Sequence, residues 1–402
     1  MAKILLIGNY RPSLTIARVL SAAGHEVWAA TSGYCDYLNW SRAVMGSLPI
    51  SDFEHGLAAL EDIGNLVRRH GFDAVWPVSD QATRYLARHG ASLPDGLVRV
   101  SPDPALVSRC VSKTEMAALC ADLDVPVAPF TAINSVQEAR EACLDLGFPV
   151  VIKPTSEGEL IHGKKVLTLH GLSDLDAELA SWPKGHTQLL AQKRLDGQRH
   201  NHYFLAHRGK LISGAALEIL RTDRADGSGY AVEGISAAPR PDLADHTARL
   251  VEALGYTGLG CAQYMTSRVG SETSFLEVNP RLGANFAGAE AAGAHMVNAA
   301  LDLALGHSET APANPWAKTR TGVRYAWSKG DLSGWLWRMK HGASLAQTIS
   351  DAATGLITAL RADTHLVFDW RDPAPALGCA LHPILKRFAP ESRSTPRLKR
   401  AV

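Results

Sequence analysis

The sequence predicts a mixed fold, α/β and α+β. A small doubly wound N-terminal domain (residues 1–102) precedes an antiparallel-rich domain (103–306) and a Trp-rich C-terminal region (307–402). Three observations predict it. The chain opens with the strand–helix–strand pattern of a parallel sheet. Farther on, strand signals alternate around short polar turns, as in antiparallel pairing. Five of the nine tryptophans (Trp316, Trp327, Trp335, Trp337 and Trp370) fall after residue 307.

The first strand is K-I-L-L-I-G, an apolar run suited to burial on both faces. N-Y-R-P-S follows, with Ser13 as a helix cap and a helix to about Ala23. E-V-W-A-A is the second strand. A helix near 54–70 leads to the strand F-D-A-V-W-P-V, with Ser79 and Asp80 at its carboxyl end, where open α/β sheets bind ligands. L-V-R-V closes this domain. Residues 103–121 read as one helix, V-P-V-A-P-F as extended chain, and 135–146 as a helix. The strand G-F-P-V-V-I-K-P ends on a lysine, Lys153. Strands follow at Q-L-L-A-Q-K, 202–220 and 230–236, then a helix at 242–254. G-C-A-Q-Y-M and S-F-L-E-V-N-P form a hairpin, and a helix starts near Gly288. The tail from about Ala389 reads as disordered.

Composition narrows the function classes. The 402 residues are 46% hydrophobic and 20% charged, enough for a large core without staples. Lys plus Arg number 41 against 40 Asp plus Glu, so the whole chain has no electrostatic footprint for nucleic acid. Six cysteines, including Cys35, form no C-x-x-C pair. That argues for reduced thiols in a cytoplasmic protein. No signal peptide is visible, and no run of about 18 apolar residues spans a membrane.

The strongest chemical signal is F-L-E-V-N-P-R. Alternation on a strand puts Glu277 and Asn279 on one face. A carboxylate and an amide oxygen suit Mg²⁺, which takes its remaining ligands from water and phosphate. Gln263, across the hairpin, offers a third oxygen, and Arg281 can stabilise charge on a transferring phosphoryl group. Lys153 and Lys113 come from separate elements and can bracket a polyphosphate. Gln192, Lys193, Arg194 and Leu195 offer a strand edge able to read adenine. Each feature alone has an ordinary structural explanation. A polar strand end, a solvated lysine and a strand-to-loop exit would account for them one by one.

In this order and spacing, the features resemble the ATP-grasp superfamily over roughly residues 1–306. The resemblance implies a two-lobed ATP-grasp domain, with lobes of about 103–190 and 191–306. It gives Lys113 and Lys153 as nucleotide-phosphate lysines, and Gln192 to Leu195 as the hinge around adenine. His200 falls near the usual ribose contact. Glu277 and Asn279 stand as the metal pair, with Gln263 where a carboxylate is more usual. Arg281 is implied at the phosphoryl group or acyl phosphate, assisted by Arg221. The phosphate-covering loop departs most: Thr155 to Val166 has only Gly158 and Gly163, and His162, Lys164 and Lys165 would replace some donors.

The implied activity is ATP-dependent ligation of a carboxylate to an amine through an acyl phosphate, with Mg²⁺ or Mn²⁺. The partners are then small molecules, and the resemblance leaves a homodimer open. Asn9, Tyr10, Arg11 and Ser13, at a helix N-terminus suited to an anion, join Ser79 and Asp80 as candidate substrate contacts. Cys35 lacks an assignable base and reads as structural or substrate-facing. Two rival readings are a nucleotide-binding regulatory module without ligation and a bicarbonate-using, carboxylase-type enzyme. No biotin-acceptor motif supports the latter.

Overall fold

The protein is described by a computed structural model. It covers residues 1–8, 10–32, 37–155, 161, 166–182, 189–224, 227, 229–267, 272–307, 311–388 and 397–398. Asn9, Cys35, His162, Lys164 and Lys165, and most of the tail after Ala389, lie outside the described residues. The chain forms two compact units. The first is Met1–Ser108 with His200–Ala262 and Asn279–Val402; the second is Arg109–Arg199 with Gln263–Val278.

The first unit begins with a doubly wound sheet. Lys3–Ile7 pairs in parallel with Glu26–Thr31 on one side and Ala74–Pro77 on the other. Gly46–Pro49 and Val98–Arg99 extend it in parallel, and Arg397–Leu398 adds an antiparallel edge. Both faces of the central strand are covered. Ile4 and Leu6 enter one core cluster, Leu5 and Ile7 the other, which is why K-I-L-L-I is apolar throughout. Strand order reverses between Lys3–Ile7 and Ala74–Pro77, so their carboxyl ends flank a topological switch point.

Two helices start at that point. One is Arg11–Ala22, which begins two residues before Ser13 because Pro12 supplies a helical first turn. Ser13 is therefore not the cap; its hydroxyl donates to the Tyr10 carbonyl at 2.6 Å. The other is Asp80–His89, capped by Ser79, whose Oγ accepts from the Ala82 N–H at 3.2 Å.

A seven-stranded sheet has the order Thr273–Asn279, Gly258–Ser267, Gly197–His207, Lys210–Thr222, Ala231–Ala237, Arg324–Ala326, Thr364–His365. Its last two strands come from the Trp-rich segment. That segment therefore extends a sheet begun much earlier in the chain, and the compact units cut across the three linear segments. Helices Ser328–Lys340 and Leu345–Arg361, between those two strands, and Ala374–Phe388, after them, belong to the first unit.

The single helix expected over 103–121 is two: Pro104–Val111, within which the first unit gives way to the second, and Lys113–Asp122 in the second unit. Ser112 breaks it by leaving helical geometry and accepting the Glu115 N–H at 3.3 Å. A four-stranded antiparallel sheet runs Phe130–Ile133, Leu189–Lys193, Val150–Pro154, Leu167–Leu169. Val150, Ile152, Leu189 and Ala191 pack with residues of helices Val136–Leu146 and Leu172–Ala180. Period-two alternation turns Val151, Lys153, Leu190 and Gln192 to the other face.

Candidate nucleotide site and a paired-charge cluster

Lys153 and Gln192 leave that second face as near neighbours. The Lys153 ammonium donates to Gln192 Oε1 at 2.7 Å, and Gln192 Nε2 donates to the Ala128 carbonyl at 3.2 Å. Lys113, in the first turn of its helix, donates to the Pro154 carbonyl at 2.6 Å. The two lysines and Gln192 line one cavity of about 40 Å³ with Glu277, and Val127, Phe130, Leu190 and Phe275 supply an apolar wall. Burial pushes the Lys153 ammonium down to about 8; the Lys113 charge adds to the shift and Glu277 opposes it. Cys110 borders the same cavity, but burial pushes its thiol up to about 12. A protonated thiol is no nucleophile.

Glu277 is exposed on Thr273–Asn279, while Val278 and Asn279 are buried. The unit boundary falls between Val278 and Asn279. The hairpin closes with the Ser267 N–H donating to the Glu272 carbonyl at 2.8 Å. Gln263 is half-buried on the strand leading into that hairpin. Among the described residues no cluster of three His, Cys, Asp or Glu side chains could hold a metal. A cation here would draw on one carboxylate, amide oxygens and phosphate. That hard-oxygen set fits Mg²⁺.

Other expected nucleotide contacts are engaged locally. Lys193 turns away from adenine chemistry: its ammonium donates to the Gly147 and Phe148 carbonyls at 2.7 and 3.1 Å, anchoring the end of helix Val136–Leu146. The Lys193 and Arg194 N–H groups are taken by the Pro129 and Pro149 carbonyls, and Arg194 Nε pairs with Asp196 at 2.9 Å. Leu195 is half-buried just past the strand. His200 belongs to the first unit, where burial and the Arg240 charge lower its ring to about 4, so it is neutral. Sequence reasoning missed Phe130 and Phe275. Phe275 was within reach, because it lies two residues before Glu277 on the same strand face.

In the first unit, several expected substrate residues gather at the switch point. Arg281 makes a bidentate pair with Asp80, donates to the Leu282 carbonyl at 2.9 Å, and lies 5.0 Å from the Tyr10 ring. Arg281 is thus a neutralised cation, and contact with a phosphoryl group requires it to share or exchange Asp80. Burial raises the Tyr10 phenol, with Arg281 and then Arg11 opposing. Arg11 is buried, its guanidinium 3.6 Å over the Trp327 ring and 5.3 Å from Tyr230. Gly8, at φ +96°, ends the central strand; a Cβ there would sit 2.6 Å from Ser79 Oγ, so only glycine lets the two loops approach. A larger cavity, about 170 Å³, lies in this unit against Trp76, Thr83, Arg99, His207 and Arg281.

Arg221, expected to assist at the phosphoryl group, is engaged in the fold by ion pairs. Its Nε donates to Glu233 at 2.8 Å and its two terminal nitrogens to Asp331 at 2.6 and 2.9 Å, with Thr358 Oγ1 at 3.2 Å. Those donors tie two strands to two C-terminal helices and are spent there. Arg221→Met is expected to lower stability by about 3 kcal/mol, because it strands two partly buried carboxylates. Urea unfolding checks this, and an unchanged midpoint would refute it.

Residues 112–310, about half of the chain, match the family model of the carbamoyl-phosphate synthase L chain ATP binding domain. The chain belongs to the ATP-grasp superfamily. It is 26% identical over 261 residues to mitochondrial pyruvate carboxylase of Rattus norvegicus, covering 59% of this chain and 20% of that protein. It is 30% identical over 172 residues to D-alanine--D-alanine ligase of Pseudomonas fluorescens (strain Pf0-1), covering 40% of this chain and 50% of the ligase. The chain thus spans half or less of the length of these relatives. A biotin carboxylase from Campylobacter jejuni, in a β,γ-ATP complex, superposes with a TM-score of 0.62 at 16% identity, covering 81% of this chain and 74% of that one. That likeness concerns the fold.

Proposed function

We propose that the protein is an ATP-dependent ligase that activates a small-molecule carboxylate as an acyl phosphate and passes the acyl group to an amine. The observation that carries this reading is the convergence of Lys113, Lys153, Gln192 and Glu277 on one partly apolar cavity. Two ammonium groups suit a polyphosphate, and the Phe130 and Phe275 side suits a purine face. At about 40 Å³ the cavity is smaller than a nucleoside. Binding therefore widens it, and the phosphates replace Gln192 as the partner of Lys153.

Glu277, with Gln263 and Asn279, would hold Mg²⁺ or Mn²⁺ together with the phosphates. When bound, the metal supplies charge neutralisation on the transferring group. The chain's own part is positioning and electrostatics, since phosphoryl transfer to a carboxylate needs no protein nucleophile. Lys113 and Lys153 orient the phosphates, and Lys153 offers its proton to developing negative charge. Arg281, released from Asp80, would steady the acyl phosphate. Tyr10, Arg11, Ser79 and Asp80 would border the acid. Among the described residues, five buried cysteines outside any disulfide support a cytoplasmic setting, and no helix is long and apolar enough to cross a membrane.

The test is a screen of carboxylate and amine pairs with MgATP, read by phosphate release and product mass. Amine-dependent phosphate release with an amide product is expected. ATP turnover that no acid accelerates would refute ligation. The similarity to pyruvate carboxylase keeps bicarbonate as the one competing acid, and bicarbonate-dependent ADP formation without any amine would favour it.

A further inference from the structure

The helix Leu345–Arg361 is amphipathic the wrong way round for an isolated molecule. Its polar side faces the protein. The Thr348 carbonyl accepts from Trp335 Nε1 at 2.9 Å, Asp351 takes Arg338 Nε at 2.6 Å, and the Thr358 hydroxyl donates to Glu233 at 2.9 Å. Its aliphatic side faces water. Leu345, Ile349, Leu356 and Leu360 are 61 to 76% exposed, with Ala352 and Ala353 exposed between them. At about 100° per residue these six side chains fall in one stripe about 100° wide, the width of a core-facing stripe.

The neighbouring helix Ser328–Lys340 widens this surface with Leu332, Leu336 and Met339, all exposed. Together with Ile357, the apolar surface is on the order of 800 Å², larger than the usual patch on a monomer and close to one partner's share of a standard interface.

The stripe is also a palindrome. Leu345 and Leu360 lie at equal distances from its midpoint between Ala352 and Ala353, and so do Ile349 and Leu356. An antiparallel second copy would therefore set Leu345 against Leu360 and Ile349 against Leu356. The alanine pair would fall at the two-fold axis, where small side chains let the helices close. A C₂ interface demands this self-complementarity, and knobs of this spacing suit helix–helix packing.

Charge argues against a lipid surface as the occupant. The helix carries one acid, Asp351, already paired with Arg338, and one base, Arg361, at its end. A membrane-binding helix needs a basic polar face.

We propose that this face is a homodimer interface, in which Leu345–Arg361 packs antiparallel on the same helix of a second copy. The proposal is independent of the ligase reading, because it uses no nucleotide-site residue.

Sedimentation of the full chain at tens of micromolar tests it. A dimer is expected, and Ile349→Glu with Leu356→Glu should weaken it at least 100-fold while far-UV circular dichroism and the melting temperature hold. Leu345→Cys with Leu360→Cys should give a covalent dimer on oxidation, whereas Leu345→Cys alone should not. Within one chain those positions are about 22 Å apart, too far for an internal disulfide. A monomeric wild type, or a dimer that survives the double glutamate variant, would overturn the interface. Cross-linking by Leu345→Cys alone would overturn the antiparallel register. Sedimentation of the monomeric protein with anionic phosphatidylserine vesicles would replace the second copy with a lipid surface.

Discussion

Replacing Glu277 with glutamine is expected to lower turnover about 1,000-fold, a loss of about 4 kcal/mol of transition-state stabilisation. The size follows from what the residue set lacks. Among the described residues, Glu277 is the one carboxylate lining the cavity that holds both lysines. The other oxygens assigned to the metal, at Gln263 and Asn279, are neutral amides. Removing the carboxylate leaves no anion among the described residues of that cavity to hold Mg²⁺ against water, so the charge on the transferring phosphoryl group goes uncompensated. Stability should hardly move. Glu277 is exposed, and a near-isosteric change at such a site is worth within about 0.5 kcal/mol. Steady-state phosphate release and a thermal melt on the same sample separate the two quantities. Activity within tenfold of wild type would remove Glu277 from the metal site. A collapsed melting temperature would give it a structural role.

The contrast between legible and illegible features has a physical basis. Strand runs such as K-I-L-L-I and the hairpin ending in E-V-N-P were legible because period-two burial is written locally in the chain. Lys153 was legible for the same reason, since its neighbours Val150 and Ile152 fix the face it leaves. Errors came where a near competitor won. Pro12 started a helix before Ser13 could cap it, and Ser112 capped a helix in the middle of what read as one. The tertiary charge pairs were out of reach. Asp80 and Arg281 are 201 residues apart, and Arg221 and Asp331 are 110 apart; no local pattern marks either pair. The same holds for the C-terminal strands. Arg324–Ala326 is three residues long, too short to announce that it extends an earlier sheet.

Lys153 should make nucleotide affinity depend on pH in a specific direction. Burial and the Lys113 charge lower its ammonium to about 8 in the free protein. Triphosphate binding replaces a neutral partner with negative charge and raises that pKa again. Below about pH 7 the lysine is already protonated, so binding takes up almost no proton through it. At pH 9 the free amine is mostly neutral, and binding must take up nearly one proton. Affinity for MgATP is therefore expected to fall as pH rises through 8, by up to about tenfold per unit, or about 1.4 kcal/mol. Titration calorimetry in buffers of different ionisation enthalpy measures both the affinity and the proton count. Lys153→Met should bind roughly 100-fold more weakly, the loss of one charge-assisted contact, and should lose this pH dependence. Lys153→Arg, charged at every pH tested, should show no proton uptake even where it binds. Uptake that persists in both variants would place the titrating group elsewhere, and Lys153 would then be a packing residue beside Gln192 and no phosphate ligand.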